Sequence, residues 1–556
     1  MPPHFEAVSL PYVLNAVGLV WAADGTMFVV EKHGFVRVLT PGEQLQGLPF
    51  IDLSAEVNNN GDRGLLGIAL SPGFVPDGGA NSWVYLLYTV SPVPGQDMTY
   101  NQNNQYSFSR LVRYRAITTS GSIVADLATR QVLLGNQLAD GSVPDCIASI
   151  HDSHSNGAIR FGTDGSLLLA TGDGAHYDFQ DNGGADAPGF DNYTHPQTLL
   201  RGPTPAIQDE GAFRSQDPRS LAGKILRLDP ATGNGLPSNP FYDGNPASNR
   251  SRVFALGLRN PFRMNLVPGT GSNDPNAAQP GVLLIGDVGW NTWEELNACA
   301  LAATNFGWPC FEGVPSQGGY AGYTSSNPNK VTCHTPVNGT FKSPASAWNH
   351  GTATAYYPPN THQDDNGNPL TGFKGSCSIG GAIYTGGSYP AKYAGRLFIA
   401  DYVGQWIKDI ELDANWNVTK IHDFAANTGR LVSIERHPIS GDLYAISVTT
   451  NKIIHIRYTQ NYTPVAAASA NPTVGGPPLI VNFSGAGSTD QDGDPLTYDW
   501  DFGDGTPHGN GVTVQHTYTS GGLFNAVLTV SDAFGGSDTA PVQIAVGNAP
   551  PTAIIL

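Results

Sequence analysis

Apolar and polar residues alternate in short runs over the first 460 residues, and a glycine-containing turn closes most of the runs. Val17–Trp21, the turn Asp24-Gly25 and Met27–Val30 predict strand, turn, strand, with a third strand at Phe35–Leu39. The unit returns at Leu66–Leu70 with Trp83–Thr89. It returns again at Ala158–Phe161 and Ser166–Thr171, where Thr163-Asp164-Gly165 is a hairpin turn, with Gly223–Leu228 following. Val253–Leu258 and Val282–Gly286 are expected to pair with each other. The late copies are Gly381–Thr385, Arg396–Ala400 and Ile407–Leu412, then Val432–His437, Asp442–Ser447 and Lys452–Tyr458. Helical periodicity is nearly absent, and Trp293–Ala302 is the one short helix candidate.

Repeated small antiparallel sheets, each with its own turns, predict an all-β chain whose residues 1–460 form a six-bladed β-propeller. The segments near Asn101–Ser107, Tyr177–Gln216 and Cys310–Asp365 then become long face loops, and loops of that length commonly carry function. The pattern breaks at Gln460–Pro472. Beyond it, Leu479–Phe483, Leu496–Phe502, His516–Tyr518, Phe524–Ser531 and Pro541–Val546 predict an Ig-like β-sandwich over 461–548. Its segment S-T-D-Q-D-G-D-P-L-T-Y-D-W-D-F-G-D-G closely resembles the PKD domain, in which Asp490, Asp492 and Asp494 read as turn caps or as a calcium site. Residues 549–556 echo the entry to that domain and read as a linker or the start of a further module.

Charge narrows the partners. The chain has 28 Lys+Arg against 46 Asp+Glu and a net charge of −18, which argues against nucleic acid and anionic membrane surfaces. Charged residues make up 13%, against about 25% in an average soluble domain, and Gly (67) and Pro (42) abound, as in secreted turn-rich β proteins. No apolar run is long enough to span a membrane. A signal peptide is not seen, and a removed leader with a secreted or periplasmic location is expected, since PKD domains occur mainly on extracellular proteins. Of five cysteines, Cys310 and Cys333 flank one loop and are expected to pair; Cys377 is left with Cys299 or Cys146.

Candidate chemistry centres on His154, in a polar loop between Ser153 and Ser155 just before a strand. Seven segments surround it in order: G-D-R-G-L-L-G-I-A-L-S-P-G-F (61–74), H-S-N-G-A-I-R-F-G-T-D-G (154–165), G-K-I-L-R-L-D-P (223–230), L-R-N-P-F-R (258–263), G-D-V-G-W-N-T-W-E-E-L-N (286–297), N-F-G-W-P (305–309) and Y-A-G-R-L-F-I-A-D-Y (393–402). Together they resemble the soluble glucose/sorbosone dehydrogenase family, propellers that use pyrroloquinoline quinone (PQQ) and calcium. The resemblance implies His154 as the base and Arg259 and Asn260 as contacts to the quinone. It implies carbonyls at Gly289 and Trp290 as calcium ligands, Glu294 and Glu295 for further calcium, Asp62 where a Gln meets the cofactor, and Arg430 toward the PQQ carboxylates.

A sugar hydroxyl must lose its proton while hydride leaves the same carbon, and an imidazole titrating near neutrality suits the first task. PQQ carries three carboxylates, so an acidic protein needs a locally basic pocket, which raises interest in Arg259, Arg263 and Arg430. The chain departs from the family where a cofactor-facing lysine is expected: 401–406 reads D-Y-V-G-Q-W, and Arg63 is a candidate substitute. The expected activity is PQQ- and calcium-dependent sugar oxidation that hands electrons to an external acceptor, with a polysaccharide contact through the PKD domain. The alternatives are a non-catalytic propeller binding a glycan or protein outside the cell, and a calcium-dependent lactonase-type hydrolase.

Overall fold

The computed structural model describes residues 1–2, 4–10, 13–90, 107–139, 142–149, 151–177, 180–183, 210–324, 331–334, 340–459, 461–491 and 494–547. Residues 549–556, Asp492 and much of the 177–216 loop lie outside them. Contacts divide the chain into two units, Ala7–Arg457, and Met1–Glu6 together with the chain from Tyr458 onward.

The larger unit is a succession of antiparallel sheets of four or five strands, six of them among the described residues. The third sheet shows the plan: Asn156–Phe161, Leu167–Thr171, Lys224–Leu228 and Val253–Leu256 follow one another in space as in sequence. The first strands of the sheets are Ala16–Trp21, Leu65–Leu70, Asn156–Phe161, Pro261–Leu266, Ser378–Ile383 and Leu431–Arg436. Each packs against the next, and the last packs against the first, so they close a ring. Phe5–Ser9 is the outer strand of the last sheet, beside Lys452–Tyr458, which joins the two ends of the propeller.

The ring is crowded. A Cβ on Gly67 would lie 2.8 Å from the Gly157 carbonyl oxygen, and one on Gly157 would lie 2.5 Å from that of Pro261. Glycine at those places lets neighbouring sheets close on the axis. Every one of the six innermost strands has a register shift near its start, for example between Asn156 and Ile159 and between Pro261 and Arg263. Such bulges bend a strand and re-aim its first side chains, here toward one end of the ring. Between sheets the core is apolar and aromatic: Phe28 is fully buried with its ring edge-on to Phe50 and Phe74. Each such side chain contributes roughly 1.5–3 kcal/mol of burial.

Two elements differ from expectation. Trp293–Cys299 is a strand of the fourth sheet, not a helix. Its Glu294 and Glu295 imitate a solvated helix face in the sequence, yet both are buried and bonded to backbone amides. Val253–Leu256 and Leu283–Asp287 do not pair; they belong to the third and fourth sheets. Cys310 and Cys333 form a disulfide with Cα atoms 5.5 Å apart, whereas Cys146, Cys299 and Cys377 are free, so neither expected partner of Cys377 is used.

The smaller unit is a β-sandwich. One sheet orders Ser469–Asn471, Leu479–Ser484 and Thr513–Tyr518, and the other has five strands centred on Gly522–Ser531. Trp500, Phe483, Tyr518 and Leu528 fill the space between them.

Candidate active site

The starts of the innermost strands converge on a cavity of about 470 Å³. Asn15 and Val17 of the first sheet, Leu66 of the second, His154 of the third, Asn260 and Phe262 of the fourth, Cys377 and Ile379 of the fifth and Val432 of the sixth all line it. Its charged side chains are Lys32, Asp62 and Arg259, and His154, Tyr177, Cys377 and Tyr402 add titratable groups.

His154 is held in a left-handed backbone conformation (φ 52°) and is 3% exposed. Its carbonyl accepts the Gly174 N–H (2.9 Å), and a Cβ on Gly172 would lie 2.1 Å from that oxygen, so the G-D-G turn must carry glycine there. The turn's aspartate is the partner: Asp173 Oδ1 bonds His154 Nδ1 at 2.9 Å. Asp173 is fully buried and saturated, taking the Ala175 N–H on Oδ1 (2.9 Å) and the Trp308 indole N–H on Oδ2 (2.7 Å). Burial pushes its carboxyl up, but His154, Arg259 and the Ala175 amide hold it below the ordinary value. The His154 ring is also held low, first by burial and then by Arg259, with Asp173 pulling the other way. A neutral imidazole that donates Nδ1–H to Asp173 leaves Nε2 as its basic nitrogen at the cavity wall.

Arg259 and Asn260 are presented by Asp287, whose two oxygens accept their backbone N–H groups at 3.0 and 2.6 Å. Burial raises Asp287 to about 7, and burial with the Asp287 charge raises Glu295, its cross-strand neighbour. The Arg259 guanidinium donates to the carbonyls of Val288 (3.0 Å) and Gly289 (2.5 Å) and stacks 5.4 Å over the Trp308 ring. Trp308 thus touches both the histidine's partner and the arginine, and Cys310, two residues on, anchors its loop by the disulfide.

Of the residues singled out in the sequence, Asp62, His154, Arg259 and Asn260 line the cavity. Arg63 does not line it: fully buried, it donates to Ser149 Oγ and O, and burial lowers it to about 10. Arg430 is exposed beside the Tyr402 ring, off the cavity wall. Arg263 gives its donors to the carbonyls of Val432, Phe262 and Val17. Glu294 bonds His350 and the amides of Gly289 and Ser378, and Glu295 bonds the Gly313 amide and Asn297. Trp290 gives its indole N–H to the Tyr177 carbonyl. Of the oxygens assigned to calcium, the Gly289 carbonyl is taken by the Arg259 guanidinium and the Glu294 and Glu295 carboxylates by N–H donors, so as arranged these three groups do not fit an ion.

Sequence reasoning missed Asp173, Trp308, Lys32 and Glu312. The last accepts four consecutive backbone N–H groups, Trp290 to Trp293, on one oxygen and shapes the loop under Arg259. Asp173 had a signal in the G-D-G turn that follows the hairpin, and Trp308 lies in the N-F-G-W-P segment; Lys32 and Glu312 had none beyond their residue type.

The sequence profile of the "Glucose / Sorbosone dehydrogenase" family matches residues 14–188 and 206–357, and that of the PKD domain matches 461–546. HIPL2 protein of Arabidopsis thaliana is 23% identical over 82% of this chain and 59% of its own length. The human Hedgehog-interacting protein is 27% identical over 28% of this chain and 20% of its own. The chain spans between half and three fifths of the length of the first curated relatives it matches. Among solved structures, a glucose dehydrogenase superposes with a TM-score of 0.52 at 18% identity, covering 82% of this chain and 100% of that one. The apo soluble aldose sugar dehydrogenase of Escherichia coli superposes with a TM-score of 0.50 at 15% identity over the same shares, a likeness of fold.

Proposed function

We propose that this chain, which belongs to the glucose/sorbosone dehydrogenase family, oxidises a hydroxyl of an aldose or related polyol with PQQ and passes the electrons to an external acceptor. The observation that carries the reading is an Asp173-oriented His154 lining the same cavity as Arg259 and Lys32. Val17, Leu66, Phe262, Ile379 and Val432 give that cavity apolar walls suited to a flat ring system, and its volume is in the range of small-molecule sites. The cationic side chains suit the cofactor's carboxylates.

In this reading, His154 Nε2 takes the hydroxyl proton while the C–H bond of the same carbon breaks and its hydrogen leaves with the bonding pair as hydride. PQQ, when bound, would supply the acceptor for that hydride. The imidazolium that forms faces the ionised Asp173, which stabilises it and keeps the ring from turning. Arg259, fixed by Val288, Gly289 and Trp308, places positive charge at the wall where negative charge develops, without reorganising. No step is assigned to calcium.

Residues 1–460 are proposed to hold the whole site, with 461–548 a separate module that contacts polysaccharide. Among the described residues no helix is long and apolar enough to cross a membrane. The Cys310–Cys333 disulfide and the PKD domain support a secreted or periplasmic location.

Adding PQQ to the full chain should give bound-quinone absorbance and sugar-dependent dye reduction. Absence of both across a broad aldose and polyol panel, with and without calcium, overturns the reading. The likeness to HIPL2 and Hedgehog-interacting protein favours a second one, a non-catalytic propeller that binds a glycan or protein. Failure to take up PQQ would put that second reading first.

A further inference from the structure

The family pattern expects a lysine in the 401–406 segment of the fifth sheet, and the chain has none there. The cavity nevertheless has an ammonium group, from a different sheet. Lys32 directly follows the strand Met27–Glu31 of the first sheet and lines the cavity opposite no carboxylate bonded to it. Its backbone is fixed on both sides: its N–H bonds the Asn15 carbonyl (2.9 Å), and its carbonyl accepts the Leu65 N–H (3.0 Å). Gly64 passes so close that a Cβ there would lie 2.7 Å from the Lys32 carbonyl oxygen.

The side chain is fixed as well. Nζ donates to the carbonyls of Asn59 (2.9 Å) and Gly61 (2.6 Å). An ammonium has three N–H donors, so one remains without an acceptor among the described residues. The two acceptors are neutral, so the charge is oriented but not cancelled by a bonded carboxylate. Burial lowers its pKa from the ordinary lysine value, with Asp62 and Asp152 acting against that. An ordered, half-buried ammonium with a spare donor loses little freedom on binding an anion. The arginines do not match it: Arg63 and Arg430 are off the cavity wall, and Arg263 spends its donors on backbone carbonyls.

We propose that Lys32 binds a carboxylate of PQQ, taking from the first sheet the role the family gives to a lysine of the fifth. The inference rests on the PQQ reading. The same ammonium chemistry fits the carboxylate of an acidic sugar, and the experiment separates the two sources.

PQQ is titrated into the full chain without sugar, following quenching of tryptophan fluorescence, for wild type, Lys32→Gln, Lys32→Arg and Arg430→Gln. Loss of one charge-assisted bond should raise the Kd of Lys32→Gln about 10–100-fold. Lys32→Arg should recover most of that affinity, and Arg430→Gln should stay within about 3-fold of wild type. Lys32→Met, which keeps the apolar stem, replaces the Gln variant should the latter fail to fold. Equal PQQ affinity in wild type and neutral variants overturns the inference and leaves the PQQ reading standing. Equal PQQ affinity combined with a lost preference for glucuronate over glucose moves the ammonium to the substrate side and also overturns it. A wild type that takes up no PQQ overturns the reading and the inference together.

Discussion

Replacing Asp173 by Asn tests the base and its partner with a change of one atom. The aspartate serves three donors: His154 Nδ1 and the Ala175 N–H on one oxygen, the Trp308 N–H on the other. An amide has a single oxygen. If it turns to His154 and Ala175, its NH₂ meets the Trp308 N–H, which can only donate. If it turns to Trp308, the NH₂ meets the Ala175 amide, and His154 must accept at Nδ1 and carry its proton on Nε2, which removes the base from the cavity. Either way one buried N–H loses its acceptor, at about 1–3 kcal/mol of stability. The imidazolium also loses the charge that stabilises it, so turnover should fall by ~10²–10⁴-fold, the scale of general-base loss. PQQ affinity should change little, because Asp173 does not line the cavity. Stopped-flow reduction of the PQQ-loaded variant, beside a PQQ titration, measures both. An Asp173→Asn protein that keeps turnover within about tenfold of wild type would refute the dyad.

The sequence made the sheets legible because short alternating runs and glycine turns recur at local spacing. It misjudged Trp293–Cys299 because the acceptors and donors that bury Glu294 and Glu295 come from 313, 350 and 378, far along the chain. Within the site, residues carried by contiguous segments were found: His154, Arg259, Asn260 and Asp62. Direction was harder than position. Asp62 and Arg63 are adjacent, yet only the first lines the cavity, and the register shift at Leu65/Gly67 lies just beyond them. A one-residue slip reverses which side chain faces the axis, and bulges are not written in the alternation. Asp173 looked like a turn residue because it is one; its second task appears only when the hairpin brings it back to His154, 19 residues away. Lys32 was illegible for a different reason. Its charge reaches the cavity from the first sheet, where the family pattern gives no cause to look for one.

Three further outcomes follow from the same geometry. His154→Ala should abolish most turnover, by at least ~10²-fold, with PQQ binding retained, whereas His151→Ala, whose ring is paired to Asp152 at 2.9 Å, should stay near wild type. Near-equal losses in the two variants, measured as kcat/KM, would remove His154 from the mechanism. Replacing Cys310 and Cys333 by Ser opens a loop with sequence separation 23 and should cost roughly 3 kcal/mol in chemical denaturation. It should also weaken catalysis, since that loop holds Trp308 on Asp173 and Arg259; unchanged stability would show that packing alone fixes the loop. The last outcome is the position of the acid limb in the pH profile. His154 must be neutral to act, and burial and Arg259 hold its pKa below the ordinary 6.5. Its contribution to stability is therefore complete above pH 6.5 and is lost as pH falls through the depressed folded value. The rate shares that sign: kcat/KM should be level above pH 6.5 and decline only below it. Asp173 opposes the depression, so in Asp173→Asn the limb should move to still lower pH while the plateau drops. A wild-type limb centred above 6.5, or a limb that rises in Asp173→Asn, would mean that a group other than a buried His154 takes the proton.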